Sequence, residues 1–284
     1  MFTTLISASE LQQIPQHQLI ILDCRFKLSS PVADPDFGRA AYDEGHLPGA
    51  HYLHLDYHLS GTRNGSNGRH PLPDGQRLAV NLGALGIGPD TQVVAYDDAG
   101  GMFAARAWWL LRWLGHANVA VLDGGIQAWQ QAGGALDTGT PERSATRFSM
   151  GTPQESAVTL DEIAANLCTP QYLLVDARAP DRFAGENETL DPVGGHIPGA
   201  KNRFFMDNLD RDGLFKPAAQ LRAEWLALLD GTPAGQVILS CGSGVTACHN
   251  KLALEYAGLS GARLYAGSWS EWCSDPTRPV ATGA

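Results

Sequence analysis

Residues 237 to 250 read VILSCGSGVTACHN: a short run suited to a buried strand, a cysteine, a Gly-Ser-Gly turn and the start of a helix near Val245. A thiol placed there stands at the carboxyl end of a strand, where open α/β sheets bind their ligands. Gly242 and Gly244 let the backbone curl until successive N–H groups point at the sulfur, and the positive end of the following helix adds to the same field. Cys241 is therefore expected to act as an anionic sulfur nucleophile, with Gly242, Gly244, Val245 and Thr246 lining the substrate seat. The loop carries no Arg or Lys, so its field is expected from backbone dipoles and the hydroxyls of Ser243 and Thr246.

The elements that position this loop occur twice. LIILDCR (19–25), EGHLPGA (44–50), QVVAYDDAGG (92–101) and VLDGGIQAW (121–129) are followed in the same order by YLLVDAR (172–178), GGHIPGA (194–200), QVILSCGSG (236–244) and LYAGSWSEW (264–272). Asp23 precedes Asp176 by 153 residues, His46 precedes His196 by 150 and Trp129 precedes Trp272 by 143. Slowly drifting offsets mark a duplicated domain with small loop changes, not a short solenoid repeat. We expect a first domain over 1–140, a linker over 141–154 in a Gly/Pro/Ser/Thr-rich stretch, and a second domain over 155–284.

Within each half, aliphatic runs alternate with helical stretches such as 104–114 and 246–257, the mark of an α/β domain with a mostly parallel central sheet. Each His-x-Pro-Gly-Ala block reads as a turn into a short strand, YLHL or KNRFF. In the first half Asp97 aligns with Cys241, and the thiol is gone; a helix cap is the expected role for that aspartate.

Composition bounds the function. With 284 residues, 44% hydrophobic and 18% charged, the chain can bury a sizeable core. A formal charge of −10 argues against a nucleic-acid or anionic-membrane partner. MFTTLISASELQQ lacks the basic and apolar regions of a signal peptide, and Arg106 and Arg112 interrupt the Trp-rich 104–114 segment, so a cytoplasmic, non-membrane protein is expected. Five cysteines without a Cys-x-x-Cys pair disfavour a disulfide framework or a zinc site, so neither metal nor cofactor is expected.

The paired Asp-x-Arg and Gly-His-x-Pro-Gly-Ala blocks, with Cys-Gly-Ser-Gly-Val-Thr-Ala in the second half alone, resemble the two-domain rhodanese-like sulfurtransferases over essentially the whole chain. The cysteine loop looks like that of the 3-mercaptopyruvate members of the family. The resemblance implies two tandem rhodanese-like domains, each a mostly parallel sheet flanked by helices, with the first domain non-catalytic. It also implies sulfane-sulfur transfer through a persulfide on Cys241, from a small anionic donor to a thiol, a thioredoxin-like protein or cyanide, in a monomer or weak dimer. By the same resemblance Ser243, His46 and an aspartate of DPDFGRAAYDEGH, Asp36 or else Asp34, form a proton-handling set, and Arg182 in PDRFAGENE anchors the donor. A second arginine, seen in some mercaptopyruvate enzymes before the second GHIPGA, has no counterpart in ENETLDPVGG. Thiosulfate-preferring relatives, in turn, usually carry basic residues in the cysteine loop, so mercaptopyruvate is the favoured donor and thiosulfate the alternative.

The remaining candidates receive structural readings. Arg25 and Arg178 follow an Asp in both halves and are expected to form structural ion pairs; His196 is expected to be structural and His249 to lie on a helix surface. The tryptophans at 108, 109, 113, 129 and 272 are expected in the core or between domains, and Cys24, Cys168, Cys248 and Cys273 as bystander thiols. A phosphatase loop needs an Arg after its cysteine, and GSGVTA has none.

Overall fold

A computed structural model describes residues 1–28 and 36–283; Asp34 lies outside them. The chain divides into two compact units. Unit 1 comprises 1–61, 72–155 and 212–214, and unit 2 comprises 62–71, 156–211 and 215–284.

Unit 1 holds strands β1 (Leu5–Ile6), β2 (Leu19–Asp23), β3 (Ala50–Tyr52), β4 (Gln92–Tyr96) and β5 (Val119–Leu122) in the order β1-β5-β4-β2-β3, all parallel. Its helices are α1 (Ala8–Leu11), α2 (Phe37–Glu44), α3 (Gly75–Ala84), α4 (Ala104–Trp113) and α5 (Gly125–Gln131). Unit 2 repeats this with β6 (Ala157–Val158), β7 (Leu173–Asp176), β8 (Lys201–Asn202), β9 (Val237–Ser240) and β10 (Arg263–Tyr265), ordered β6-β10-β9-β7-β8 and parallel. Its helices are α6 (Leu160–Cys168), α7 (Pro180–Ala184), α8 (Ala218–Leu229), α9 (Thr246–Tyr256) and α10 (Ser268–Trp272). The strands β2, β4 and β5 are buried throughout, which is why they read as unbroken apolar runs and not as alternation.

In unit 2 the chain steps from β7 outward to β8, then returns to the other side of β7 for β9 and β10. Such a reversal opens a crevice at the carboxyl ends of the two strands, here β7 and β9, which are in register from Leu173↔Val237 to Asp176↔Ser240. Cys241 follows one strand and Arg178 the other.

Helices α4 and α9 are buried on nearly every side, from Ala104 to Leu111 and from Ala247 to Leu254. Both are central to their unit. His249, expected on a helix surface, is instead fully enclosed and stacks on Phe215 at 4.5 Å between ring centroids. Trp108, Trp109, Trp225, Trp269 and Trp272 are also enclosed, each contributing roughly 1.5–3 kcal/mol or more by burial.

The expected linker is laid along unit 1. Thr146, Gly151 and Gln154 donate backbone N–H bonds to Gly83, Leu114 and Arg112 at 2.8, 2.9 and 3.0 Å, and the Phe148 side chain is buried. A stretch without apolar periodicity still docks when one aromatic side chain and a few backbone donors find partners. The larger departure is residues 62–71, which belong to unit 2 although they fall within the first repeat.

Candidate active site

Cys241 is fixed from its backbone outward. Its N–H donates to Ser268 Oγ at 3.0 Å, its carbonyl accepts from Trp269 N–H at 2.9 Å, and the Gly242 carbonyl accepts from Ser270 N–H at 2.9 Å. Ser268 holds a left-handed φ of 54°, a strained position for a residue with a side chain; its hydroxyl also donates to Tyr265 O at 2.8 Å, which helps hold it there. Gly244 has φ +75°, and a Cβ added there would stand 2.3 Å from Ala266 O, so only glycine fits. Its N–H in turn donates to Cys241 Sγ at 3.1 Å. The sulfur is nearly enclosed, at 2% exposure, with a backbone donor aimed at it as the loop composition led us to expect.

Ser243 is buried beside it, and its hydroxyl shares a 2.7 Å hydrogen bond with His70 Nδ1. His70 arrives on the 62–71 segment and was not among the residues expected at the site. The available signal was weak: GTRNGSNGRHPLPDG is a polar, non-periodic stretch with one histidine before a proline.

His46, the expected proton-handling histidine, lies in unit 1. It is buried there, its Nδ1 lies 2.8 Å from Tyr42 O and its Nε2 3.0 Å from Gly139 O, and its ring stacks on Tyr42 at 3.8 Å. His196 repeats the Nδ1 and ring contacts, with Nδ1 2.9 Å from Phe183 O and the ring stacked on Phe183 at 3.7 Å. Each also pairs in an antiparallel bridge, with Asp137 and with Ala281. Both histidines close the carboxyl end of a helix. Asp36 is exposed at the N-terminus of α2 in unit 1.

Arg25 and Arg178 are the structural pair expected. Arg178 forks onto Asp176 and donates to Gly195 O at 2.7 Å; Arg25 does the same with Asp23 and with Gly45 O at 2.8 Å. Burial alone would lower the Arg178 guanidinium; the charges of Asp176, then Glu188 and Cys241, outweigh it and push it above its ordinary value.

Arg182, on α7, donates from Nε and Nη2 to Glu188 at 3.1 and 2.8 Å, and its Nη2 lies 3.6 Å from Asp191 Oδ2. Arg69, next to His70, is ion-paired through Nη1 with Asp191. Burial raises the Asp191 carboxyl, against the pull of Arg69. Burial would raise Glu188 as well, but the hydrogen bonds from Arg182 and the backbone N–H groups of Leu190 and Asp191 bring it below its usual range. Gly242, Gly244 and Val245 are buried and Thr246 is half-buried at the start of α9.

The first unit supplies a control. Asp97 stands where Cys241 does, and its carboxylate accepts four backbone N–H bonds, from Ala99, Gly101, Phe103 and Ala104, at 2.8 to 2.9 Å. The cap expected of Asp97 is thus one part of a full anion nest that holds the protein's own side chain. Burial pushes this carboxyl above its ordinary value, opposed by those four donors.

A parallel α/β unit with a cysteine at the mouth of its central strand, beside a duplicate without one, defines the class: the chain belongs to the rhodanese-like domain family, which matches residues 7–132 and 159–275. Among its relatives, a Pseudomonas aeruginosa protein named "Probable 3-mercaptopyruvate sulfurtransferase" is 50% identical over 98% of both chains. The thiosulfate sulfurtransferase of Mus musculus is 37% identical over 82% of this chain and 79% of its own. The crystal structure of the 3-mercaptopyruvate sulfotransferase SseA from Escherichia coli superposes with a TM-score of 0.78 at 32% identity, covering 95% of this chain and all of that one. Among the described residues, no helix is long and apolar enough to cross a membrane.

Proposed function

We propose that this chain is a 3-mercaptopyruvate sulfurtransferase that works through a persulfide on Cys241. The observation that carries the reading is the Ser243–His70 hydrogen bond, one residue beyond the loop glycine that follows the thiol. In the first step the Cys241 thiolate attacks the donor sulfur, an S–S bond forms and the C–S bond breaks, and its electron pair leaves on carbon as the enolate of pyruvate. That carbanion needs a proton, which the Ser243 hydroxyl delivers and His70 replenishes. The outer sulfur of the persulfide is then attacked by a thiol, on a small molecule or a thioredoxin-like protein, or by cyanide; Cys241 is regenerated, and the cycle is ping-pong. The relatives named for this donor support the choice, and a cytoplasmic setting is part of the proposal.

Thiosulfate is the second reading, favoured by one observation: the guanidinium ends of Arg69 and Arg182 face Gly242, where departing sulfite could be held. Incubation with each donor followed by intact-mass measurement tests both. A gain of about 32 Da, absent in Cys241→Ser, is expected. The persulfide reading is wrong if neither donor adds that mass, and the ratio of kcat/KM for the two donors chooses between them.

A further inference from the structure

We propose that Arg69, carried into unit 2 on residues 62–71, is a second guanidinium that seats the anionic group of the sulfur donor beside Cys241. This deepens the sulfurtransferase reading and rests on it for the donor's identity.

The geometry is a convergence. From the point where a side chain at Gly242 would begin, Arg69 Nη2 is 2.8 Å away and Arg182 Nη2 3.6 Å. The residue next to the nucleophile therefore has no side chain, and two guanidinium ends face the space it leaves. Both are held from behind by one carboxylate: Asp191 pairs with Arg69 Nη1 and lies 3.6 Å from Arg182 Nη2, while Glu188 takes Arg182 in a fork. The order from solvent inward decides between a buried structural ion pair and an anion seat. The arginine side chains are 23% and 20% exposed, the two carboxylates only 3% and 4%, so an incoming anion meets the cations first.

Arg69 is also rigidly placed. Its N–H donates to Ser270 Oγ at 3.0 Å, and Gly68, at φ +82°, packs against Gly267, in the turn whose next residue, Ser268, pins Cys241. A planar guanidinium fixed this way suits two oxygens of one carboxylate or sulfonate group. Those oxygens are shared by mercaptopyruvate and thiosulfate.

The test uses alkylation of Cys241 by iodoacetate and iodoacetamide, which differ in charge and need no sulfur donor. In Arg69→Gln the ratio of the two rate constants is expected to fall roughly 10-fold, with KM for the physiological donor rising roughly 10- to 100-fold. Whichever of mercaptopyruvate and thiosulfate shows the KM rise is the anion seated there. Arg69→Lys, which keeps the charge but not the fork, should retain most of the alkylation ratio while still raising the donor KM, and that rise decides the matter if the Gln variant does not fold. In the Gln variant an unchanged ratio, or equal losses toward both reagents, overturns the role of Arg69, as does an unchanged donor KM in the Lys variant. Failure of the sulfurtransferase reading would look different: an altered alkylation ratio with no donor adding sulfur to the wild-type protein.

Discussion

Ser243 Oγ and His70 Nδ1 lie 2.7 Å apart, both buried, and join a loop of the second repeat to a segment that the sequence places in the first. The pair stands beside a thiol with a backbone donor on its sulfur. Under the proposed mechanism its task is delivery of one proton to a departing carbanion, not activation of the nucleophile.

That division of labour gives a donor-dependent phenotype. His70→Ala and Ser243→Ala should each lower kcat for mercaptopyruvate by about 10²-fold or more, within the range for a lost general acid, and lower thiosulfate turnover far less, because sulfite leaves without needing a proton on carbon. His46→Ala should instead leave kcat near wild type and lower unfolding stability by about 1–3 kcal/mol, as His196→Ala should. Steady-state kinetics with both donors, beside urea denaturation of the four variants, checks this. Equal losses on the two donors would remove the Ser243–His70 pair from proton delivery.

Asp97→Ala strips the acceptor from four backbone N–H groups around a fully buried side chain, and the expected loss of stability is on the order of 3 kcal/mol or more. Sulfur transfer per folded molecule should persist. Thermal melting against active-site titration separates the two effects; a variant as stable as wild type would mean the nest does not need its carboxylate.

Acid should weaken the fold through Glu224. Partial burial alone would raise this carboxyl, but hydrogen bonds from Arg203, Gln220 and Lys216 hold it down at about 2, below its usual 4.5. A folded-state value below the unfolded one stabilises above pH 4.5, and that contribution is lost as pH falls from 4.5 toward 2. Glu224→Gln should therefore be less stable than wild type at pH 7, by a modest amount for a solvent-screened group, with the gap closing as pH falls through that window. A gap independent of pH would assign the loss to packing.

The sequence by itself determined the duplication, the parallel α/β units, the strand-ending cysteine and the structural Asp-Arg pairs. These follow from local chemistry: apolar runs that must be buried, glycines that alone accept a left-handed backbone, and an ion pair repeated in the half without a thiol. The recurrence that assigned Arg25 and Arg178 to structure applies equally to His46 and His196, whose resemblance-based and structural readings had diverged. Only the tertiary structure decided which histidine meets Ser243 and where Arg69 points, because the choice of unit for residues 62–71 leaves no trace in periodicity or spacing. A polar loop is free of the hydrophobic pattern that makes strands and helices legible, and its destination is set by contacts with residues some two hundred positions away, such as Ser270 and Ser243.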